Sequence, residues 1–482
     1  MKLKELLRGV EVRSMAADEE MEIGGVCYDS RVAKPGDLFV AMTGYETDGH
    51  RFIPMAAERG AACVLCERPP EGTEIPYVLV PSSREALADV SANYFGHPAE
   101  EMVMVGVTGT NGKTSTTYLL KDVLEKAAGA RVGLIGTNQN MIGSQVIHTE
   151  RTTPESFELQ KLFREMADAG CTHVVMEVSS HALYLSRVRG IHFAVGVFTN
   201  LTQDHLDFHG TMEAYCDAKA LLFQNCRTGV YNADDPWAPR LMANATCEKR
   251  SFGERSGDLR AENIQLHPGG VAFDAVEGGE KTKIEVAIPG GFMVYNTLGV
   301  LAAAQALGIS LAQSAAVLAS TPHVKGRVEP VPTDGDYSIL IDYAHTPDAL
   351  ANVLKAVKGF ARGRVVALFG CGGDRDRTKR PKMGRIAAEL ADFVIVTSDN
   401  PRTEEPGAII ADILPGLADS RTPYVVVENR VEAIHYAIDH AQSGDVIVLA
   451  GKGHEDYQEI NHVKHHLDER EVVAAYLAER RK

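Results

Sequence analysis

An α/β fold is predicted, with a phosphate-loop parallel sheet in the middle of the chain and a doubly wound sheet at its C-terminal end. Three observations predict it. A continuous apolar run, EMVMVGV, leads directly into the loop TGTNGKTS and the helical pattern TTYLLKDVLEK. Further buried-strand candidates, HVVMEV (173–178) and HFAVGVFT (192–199), alternate with helical stretches. From near Gly326 the alternation repeats as RVVALFG, a helix from Pro381, DFVIVTS, a helix from Pro406, YVVVE, a helix near 431–442, and DVIVLAG. Strands apolar at every position suit a sheet covered on both faces, the environment of parallel strands linked by helices. Such sheets bind ligands beyond the carboxyl ends of their strands, where GCGGDRDR, SDNPRTEEP and GKGHEDY fall.

The chain has 482 residues, and roughly 150 residues per domain predicts about three domains. We divide it at 1–98, 99–325 and 326–482. The first block holds short strand-like runs (DLFVAM, CVLCE, YVLVP) and closes with the helical SREALADVSANYFGHP. No repeats or low-complexity tracts interrupt it. No apolar run reaches membrane-spanning length, and MKLKELLRGVEV is too short and charged for a secretory signal, so no membrane insertion and a cytoplasmic location are expected. The cysteines at 27, 63, 66, 171, 216, 226, 247 and 371 are scattered, which predicts reduced, mostly buried thiols. Cys63 and Cys66 form a lone C-x2-C that no second pair completes as a zinc site. A net charge of −16 speaks against a nucleic-acid partner. Anionic small substrates need only local positive charge, and Arg362, Arg364, Arg375, Arg377, Lys379, Arg380, Lys382 and Arg385 offer it.

The loop carries the first chemistry. Gly109 and Gly112 let backbone N–H groups approach phosphates, with Thr110, Asn111 and Ser115 completing the wrap. Lys113 brings a point charge to the terminal phosphates, and Thr114 offers a hydroxyl to Mg2+. Val107 stands where the strict G-x4-G-K-[ST] pattern has its first glycine, and Gly106 lies one residue early. A plain glycine turn is the competing reading, and the strand–GKT–helix context favours nucleotide. No N-K-x-D signature for guanine is present at the expected strand ends. Glu177, closing HVVMEV, is expected beside Thr114 as an oxygen ligand. Asn200, Asp204, His205, Asp207 and His209 share the loop TNLTQDHLDFHGT, where they either serve a metal or cap the following helix.

TGTNGKTS, MEVSSHAL and TNLTQDHLDFHGTMEAYCDAKALLF together resemble the central domain of the Mur ligases of peptidoglycan synthesis. The resemblance runs through essentially the whole chain, with its motifs in family order. It implies a three-domain architecture: a UDP-binding N-terminal domain, a central ATP-binding domain and a C-terminal Rossmann-like domain for the amino acid. It implies ATP and Mg2+ as cofactors, a second Mg2+ helped by His205, and a carbamylated lysine at Lys219. DSRVAKPGDLFVAMTGYETDGHRF resembles the uridine-binding domain of the branch that adds the third amino acid. Ser30, Tyr45, Glu46 and Thr47 then meet the UDP end, while Thr152, Thr153, Ser179 and Arg187 meet the rest of the UDP-muramoyl-dipeptide. Asn296 of VYNTLGVLAA lies near adenine, and Arg327, Asp342 and His345, with Tyr343, close over ATP.

SDNPRTEEP reads the incoming amino acid in this resemblance. Asp399, Asn400, Pro401 and Arg402 match the form associated with meso-diaminopimelate, and Arg375, Gly451 and Glu455 complete the site, Glu455 suiting an ammonium. The physical argument agrees, because Arg402 offers a planar fork to a far carboxylate that lysine lacks. An unpaired buried guanidinium would cost about 3–5 kcal/mol. The implied reaction is ATP-dependent attachment of meso-diaminopimelate to the D-Glu γ-carboxylate of UDP-MurNAc-L-Ala-D-Glu through an acyl phosphate, by a monomer. The alternatives are the same ligase using L-lysine, a folylpolyglutamate-type ligase, and a nucleotide-dependent scaffold without turnover.

Overall fold

The computed structural model describes residues 1–44, 47–149, 151–267, 270–321 and 323–480. Tyr45 and Glu46, two residues expected at the uridine end, lie outside these. Three principal sheets follow one another along the chain, each with its own apolar core.

The first has the order Ser14–Ala16, Tyr77–Leu79, Cys63–Cys66, Asp37–Val40, Gly25–Cys27, and only Ser14–Ala16 runs antiparallel. Side chains three apart on a strand face opposite ways. Cys63 accordingly packs with Leu38 and Val78 while Cys66 packs with Phe39 and Val64. The C-x2-C is therefore core on two faces, and burial pushes the thiols up to about 12 and about 11. The helix Ser83–Phe95, capped by the Ser82 hydroxyl and ended by Gly96 at φ 73°, packs against the helix Ser156–Asp168 of the central block. Tyr28 Oη donates to Glu158 Oε2 at 2.9 Å, and Arg189 pairs with Asp89 and Glu85, so polar contacts also join the two blocks.

The central sheet has Val103–Thr108 in its interior, between Phe193–Phe198 and His173–Glu177. These strands, with Val132–Ile135, Cys226–Asn232 and Glu248–Gly253, are parallel as expected. Antiparallel additions flank them: Asn140–Ile142 and Gln145–Ile147 on one side, and Gly270–Glu277 and Glu280–Val286 beyond Leu259–His267 on the other. The sequence reading missed these additions. EKTKIEV and LRAENIQLH alternate charged and apolar residues, and one face of each meets water, so neither shows a continuous apolar run.

The C-terminal sheet runs Glu329–Val331, Ser338–Asp342, Val446–Ala450, Val365–Phe369, Phe393–Val396, Tyr424–Val426, with only the first strand antiparallel. The helices Pro347–Lys358, Lys379–Leu390 and Pro406–Ile413 bury one face, and Arg430–Asp439 and Glu469–Arg480 the other, so the doubly wound expectation holds. The three suspect loops leave the carboxyl ends of Val365–Phe369, Phe393–Val396 and Val446–Ala450.

One buried ion pair fixes two of those loops. Arg430 and Glu469 are both fully enclosed, with Arg430 Nε 2.8 Å from Glu469 Oε1. The same guanidinium donates to the carbonyls of Ser398 and Ala450, at or just past the ends of the two loop-bearing strands that flank Val365–Phe369. Breaking one partner of such a pair strands a charge, which costs about 3–5 kcal/mol. Arg430→Met is expected to lose stability of that order in urea unfolding, whereas a surface change such as Lys161→Ala should leave the midpoint in place.

Candidate active site

The phosphate loop is shaped by close backbone approach. Gly109 has φ 149° and Gly112 φ 86°; a Cβ on the first would overlap the Thr199 hydroxyl, and on the second the Asn296 amide. Both positions thus exclude any side chain. Val107 and Gly106 belong to the strand, which runs through Thr108, and a Cβ on Gly106 would press on Phe193 at 3.0 Å. Gly106 therefore serves sheet packing, and the loop proper begins at Gly109. Thr110 N donates to Asn200 O at 2.8 Å and Asn111 N to Asn200 Oδ1 at 2.9 Å, which places Asn200 beneath the loop. Lys113 Nζ donates to the carbonyls of Gly109 and Thr110, each at 2.9 Å. Burial lowers its pKa, while Glu177 and Asp204 draw it up.

Thr114, at the start of the helix Lys113–Ala128, donates to Glu177 Oε1 at 2.9 Å and accepts from Arg327 Nη2 at 2.9 Å. Glu177 also accepts from the backbone and hydroxyl of Thr137. Arg327 belongs to the C-terminal block, so this hydroxyl joins two blocks. Arg327 lies over the Tyr343 ring, 5.0 Å from its centroid. Asp342 accepts from Val328 N at 2.8 Å, and its carboxyl is raised by burial against the pull of Arg327. A cavity of about 480 Å³ gathers Asn111, Gly112, Ser115, Asn296, Arg327 and Asp342. His345 stands apart from that lining: its Nδ1 is 2.9 Å from Tyr343 O, and burial pushes its imidazole down to about 4. Asp348 was not anticipated. It accepts from Asn111 Nδ2 at 2.9 Å and from Asn352 at 3.1 Å, adding a second link from the loop to the C-terminal block.

Lys219 is buried, with Nζ 3.0 Å from Gly109 O and 4.5 Å from the centroid of the Tyr215 ring. Burial, then repulsion from Lys113, holds its pKa well below the ordinary lysine range. It is no surface lysine, and its burial favours the neutral amine. His205 lies 3.4 Å from Asp204 and edge-on to His181, ring centroids 4.8 Å apart. Burial within the cleft lowers its pKa, the reverse of what Asp204 favours. The short helix Leu206–His209 starts at His205, which makes no side-chain cap hydrogen bond, and carries Asp207 in its first turn, while Thr211 caps the next helix, Met212–Ala220. Thr114 and Glu177 present adjacent oxygens that fit a hard divalent ion, whereas the His205 imidazole is a softer donor. Among the described residues no three His, Cys, Asp or Glu side chains form a cage. A site that leaves most of the shell to phosphate oxygens and water is the Mg2+ pattern.

Thr152, Thr153, Ser179 and Arg187 cluster at the edge of the same cleft. Thr152 Oγ1 is 3.0 Å from Thr137 Oγ1, Ser179 N donates to Thr153 Oγ1 at 3.1 Å, and Arg187 donates to Glu155 Oε2 and Thr153 O. Ser30 is buried, its hydroxyl donating to Met55 Sδ at 3.4 Å, and Thr47 is exposed.

The loops that follow Phe393–Val396 and Val446–Ala450 meet at Lys452, missed in the sequence although it adjoins Gly451. Fully buried, Lys452 Nζ donates to Asn400 Oδ1 at 3.0 Å and Glu455 Oε2 at 3.1 Å. Burial raises Asp399, but Lys452 and Arg430 outweigh it and leave its carboxyl below the ordinary range. Glu455 goes the other way, raised first by burial. Pro401 passes its carbonyl close beneath Gly373, where a Cβ would collide with it. Arg375 is exposed, and among the described residues its hydrogen bond is to Asp374 O, at 2.8 Å, so it flanks the cluster. The free fork expected of Arg402 is corrected: Nη1 donates to Gly373 O at 2.8 Å and Nε lies 3.2 Å from Glu459 Oε2. Much of the local positive charge expected from 362–385 is likewise paired: Arg364 with Asp445, Arg377 with Asp412, and Arg380 with Glu404 and Asp412.

Family models match almost end to end. The Mur ligase family catalytic domain matches 22–95, the Mur ligase middle domain 107–304, and the Mur ligase glutamate ligase domain 326–453. A UDP-N-acetylmuramoyl-L-alanyl-D-glutamate–2,6-diaminopimelate ligase of Clostridium botulinum is 46% identical over 99% of this chain and 100% of its own length. The ligase of the same name from Caldanaerobacter subterraneus is also 46% identical, over 100% of both. A solved structure with that ligase name has a TM-score of 0.71 and 32% identity, covering 100% of this chain and 99% of the other. The chain belongs to the Mur ligase family.

It is thus an ATP-dependent amide-bond ligase. No helix among the described residues is long and apolar enough to cross a membrane. In this Mur ligase the bidentate Arg380–Glu404 pair (2.7 and 2.9 Å) braces the loop Gly372–Asp374 and holds the Glu404 carboxyl down at about 2, from an ordinary 4.5. A depressed folded-state pKa contributes stability that is present above about pH 4.5 and lost as pH falls toward 2. Glu404→Gln should flatten that part of the acid limb in urea unfolding between these values and leave the slope near neutrality unchanged.

Proposed function

We propose that this enzyme joins meso-diaminopimelate to the D-Glu γ-carboxylate of UDP-MurNAc-L-Ala-D-Glu, consuming ATP, in the cytoplasm and as a monomer. The blocks 1–98, 99–325 and 326–482 serve as its UDP-, ATP- and amino-acid-binding domains. The observation that carries the reading is the placement of Arg402. Its loop leaves the carboxyl end of the C-terminal sheet, the end at which Arg327 and Asp342 line the cavity beside the phosphate loop.

ATP would occupy the cavity lined by Gly112, Ser115, Asn296 and Arg327, with the backbone N–H groups that open the helix Lys113–Ala128 facing its phosphates. Lys113 exchanges its loop carbonyls for the terminal phosphate and neutralises charge as the γ-phosphoryl passes to the D-Glu carboxylate. Thr114, Glu177, His205 and carbamylated Lys219 hold Mg2+, which when bound offsets charge on the transferring phosphoryl group. Ser30, Tyr45, Glu46 and Thr47 take the UDP end; Thr152, Thr153, Ser179 and Arg187 orient the dipeptide so that its carboxylate reaches Lys113. Asp399, Asn400, Pro401, Gly451 and Glu455 position the diaminopimelate amine, with Arg375 at the mouth. The amine attacks the acyl carbon, a tetrahedral intermediate collapses, and phosphate leaves. Arg327, Asp342 and His345 close the C-terminal block over ATP, excluding water that would hydrolyse the acyl phosphate.

Phosphate release with UDP-MurNAc-dipeptide should depend on added amino acid and be fastest with meso-diaminopimelate. Oxygen-18 in the D-Glu carboxylate should appear in the phosphate; equal rates without any amino acid, or no label transfer, would refute the mechanism. For Lys219, CO2 adds to the neutral amine, an N–C bond forms and one proton leaves. Lys219→Ala should lower kcat by about two orders of magnitude, roughly 2.7 kcal/mol of barrier, and millimolar acetate or formate should restore part of it. Full activity without additive would remove the carbamate from the site.

A further inference from the structure

The reading above leaves one carboxylate of the amino-acid site without a role. Glu459 lies on the strand Tyr457–Ile460, which the sequence motifs pass over. Arg402 is tied to that strand by backbone as well as side chain. At φ 52°, its N donates to Glu459 O at 3.0 Å and its O accepts from Asn461 N at 2.7 Å, a bridge that faces Arg402 to Ile460. Glu459 N donates to Asn400 Oδ1 at 2.9 Å, the same oxygen that accepts from Lys452. One strand residue thus grips both Asn400 and Arg402. The Glu459 carboxylate sits 3.2 Å from Arg402 Nε, with both side chains about four-fifths buried (20% and 22% exposed), and it pairs with no other cation among the described residues.

Resting on the diaminopimelate reading, we propose that Glu459 is a specificity-determining residue, a resident carboxylate that keeps Arg402 satisfied whichever amino acid is bound. An amino acid lacking a far carboxylate leaves a guanidinium that already has a counter-ion. Rejection of lysine is correspondingly weaker than a bare buried cation would impose. A far carboxylate, in turn, enters beside a like charge and must share the guanidinium, which weakens its own binding. Both effects narrow the preference. Specificity is a difference of affinities, and here an internal group acts on both terms.

The test uses the full-length enzyme with ATP and UDP-MurNAc-dipeptide, comparing meso-diaminopimelate and L-lysine by phosphate release. Wild-type enzyme that turns over with neither overturns the proposed function itself, before Glu459 is considered. With turnover established, Glu459→Gln should lower the KM for meso-diaminopimelate about threefold and widen its kcat/KM advantage over lysine about tenfold, roughly 1.4 kcal/mol. Where lysine turnover is too slow, its inhibition constant against diaminopimelate gives the same ratio. Glu459→Asp, which keeps the charge, should stay within about threefold of wild type. A Gln variant with wild-type melting whose ratio is unchanged or narrower overturns the proposal. A raised KM for diaminopimelate alone would mean instead that Glu459 binds the substrate's ammonium.

Discussion

The hydroxyl of Thr114 lies where a strand end, a helix N-terminus and the C-terminal block meet, and much of the site is arranged around that contact. A helix start presents unpaired N–H groups and the positive end of the backbone dipole. Glu177 answers that field from the end of the neighbouring parallel strand, and the in-register pairing of Glu177 with Val107 sets its height above the sheet. Arg327 then approaches the same oxygen from the other block. A cation and an anion share one hydroxyl, and the cleft between blocks closes on a polar contact. Asp348 and Asn111 repeat the design a short way along the loop. Such contacts reorganise more readily than an apolar interface, which suits a closure that must also open for product.

Much of this architecture can be read from the sequence, and the reasons are local. MVMVGV and VIVLAG are apolar at every position because helices cover both sheet faces, and a loop rich in glycine follows where a backbone must pass closely. The carboxyl-end placement of the three C-terminal loops followed from strand alternation alone. The flanking antiparallel strands were not legible, since their half-exposed faces dilute the signal. Lys219 could not be separated from a surface lysine by periodicity. Only the packing of Tyr215, Cys216 and Phe223 into the same core shows that this face of the helix is buried. Pairing between loops was the least legible. Nothing in SDNPRTEEP announces that its arginine will find Glu459, a residue on the third strand further along the chain, because that contact exists only once two crossovers have brought the loops together.

The same invisibility explains why the charge argument changed between sequence and structure. A basic residue in a motif suggests a cation waiting for an anion. In the folded chain, Lys113 has two loop carbonyls, Lys452 has Asn400 and Glu455, Arg380 has Glu404, and Arg402 has Gly373 and Glu459. Burying a cation without acceptors is expensive enough to threaten a marginally stable fold. A site able to fold by itself therefore supplies internal partners for nearly every charge it offers to substrate.

That requirement carries over to catalysis. If each cation begins with protein acceptors, substrate binding is an exchange of partners, and its free energy is the small difference between two satisfied states. Rate then depends on which partner fits the transition state better than the ground state. For Lys113 the competing acceptors are neutral carbonyls, which a phosphoryl oxygen bearing growing charge outbids in a dry cleft. For Arg402 the competitor is another carboxylate, and the exchange is nearly even. In the proposed reaction the phosphate end thus favours the reacting state strongly, while the Arg402–Glu459 end discriminates by modest margins.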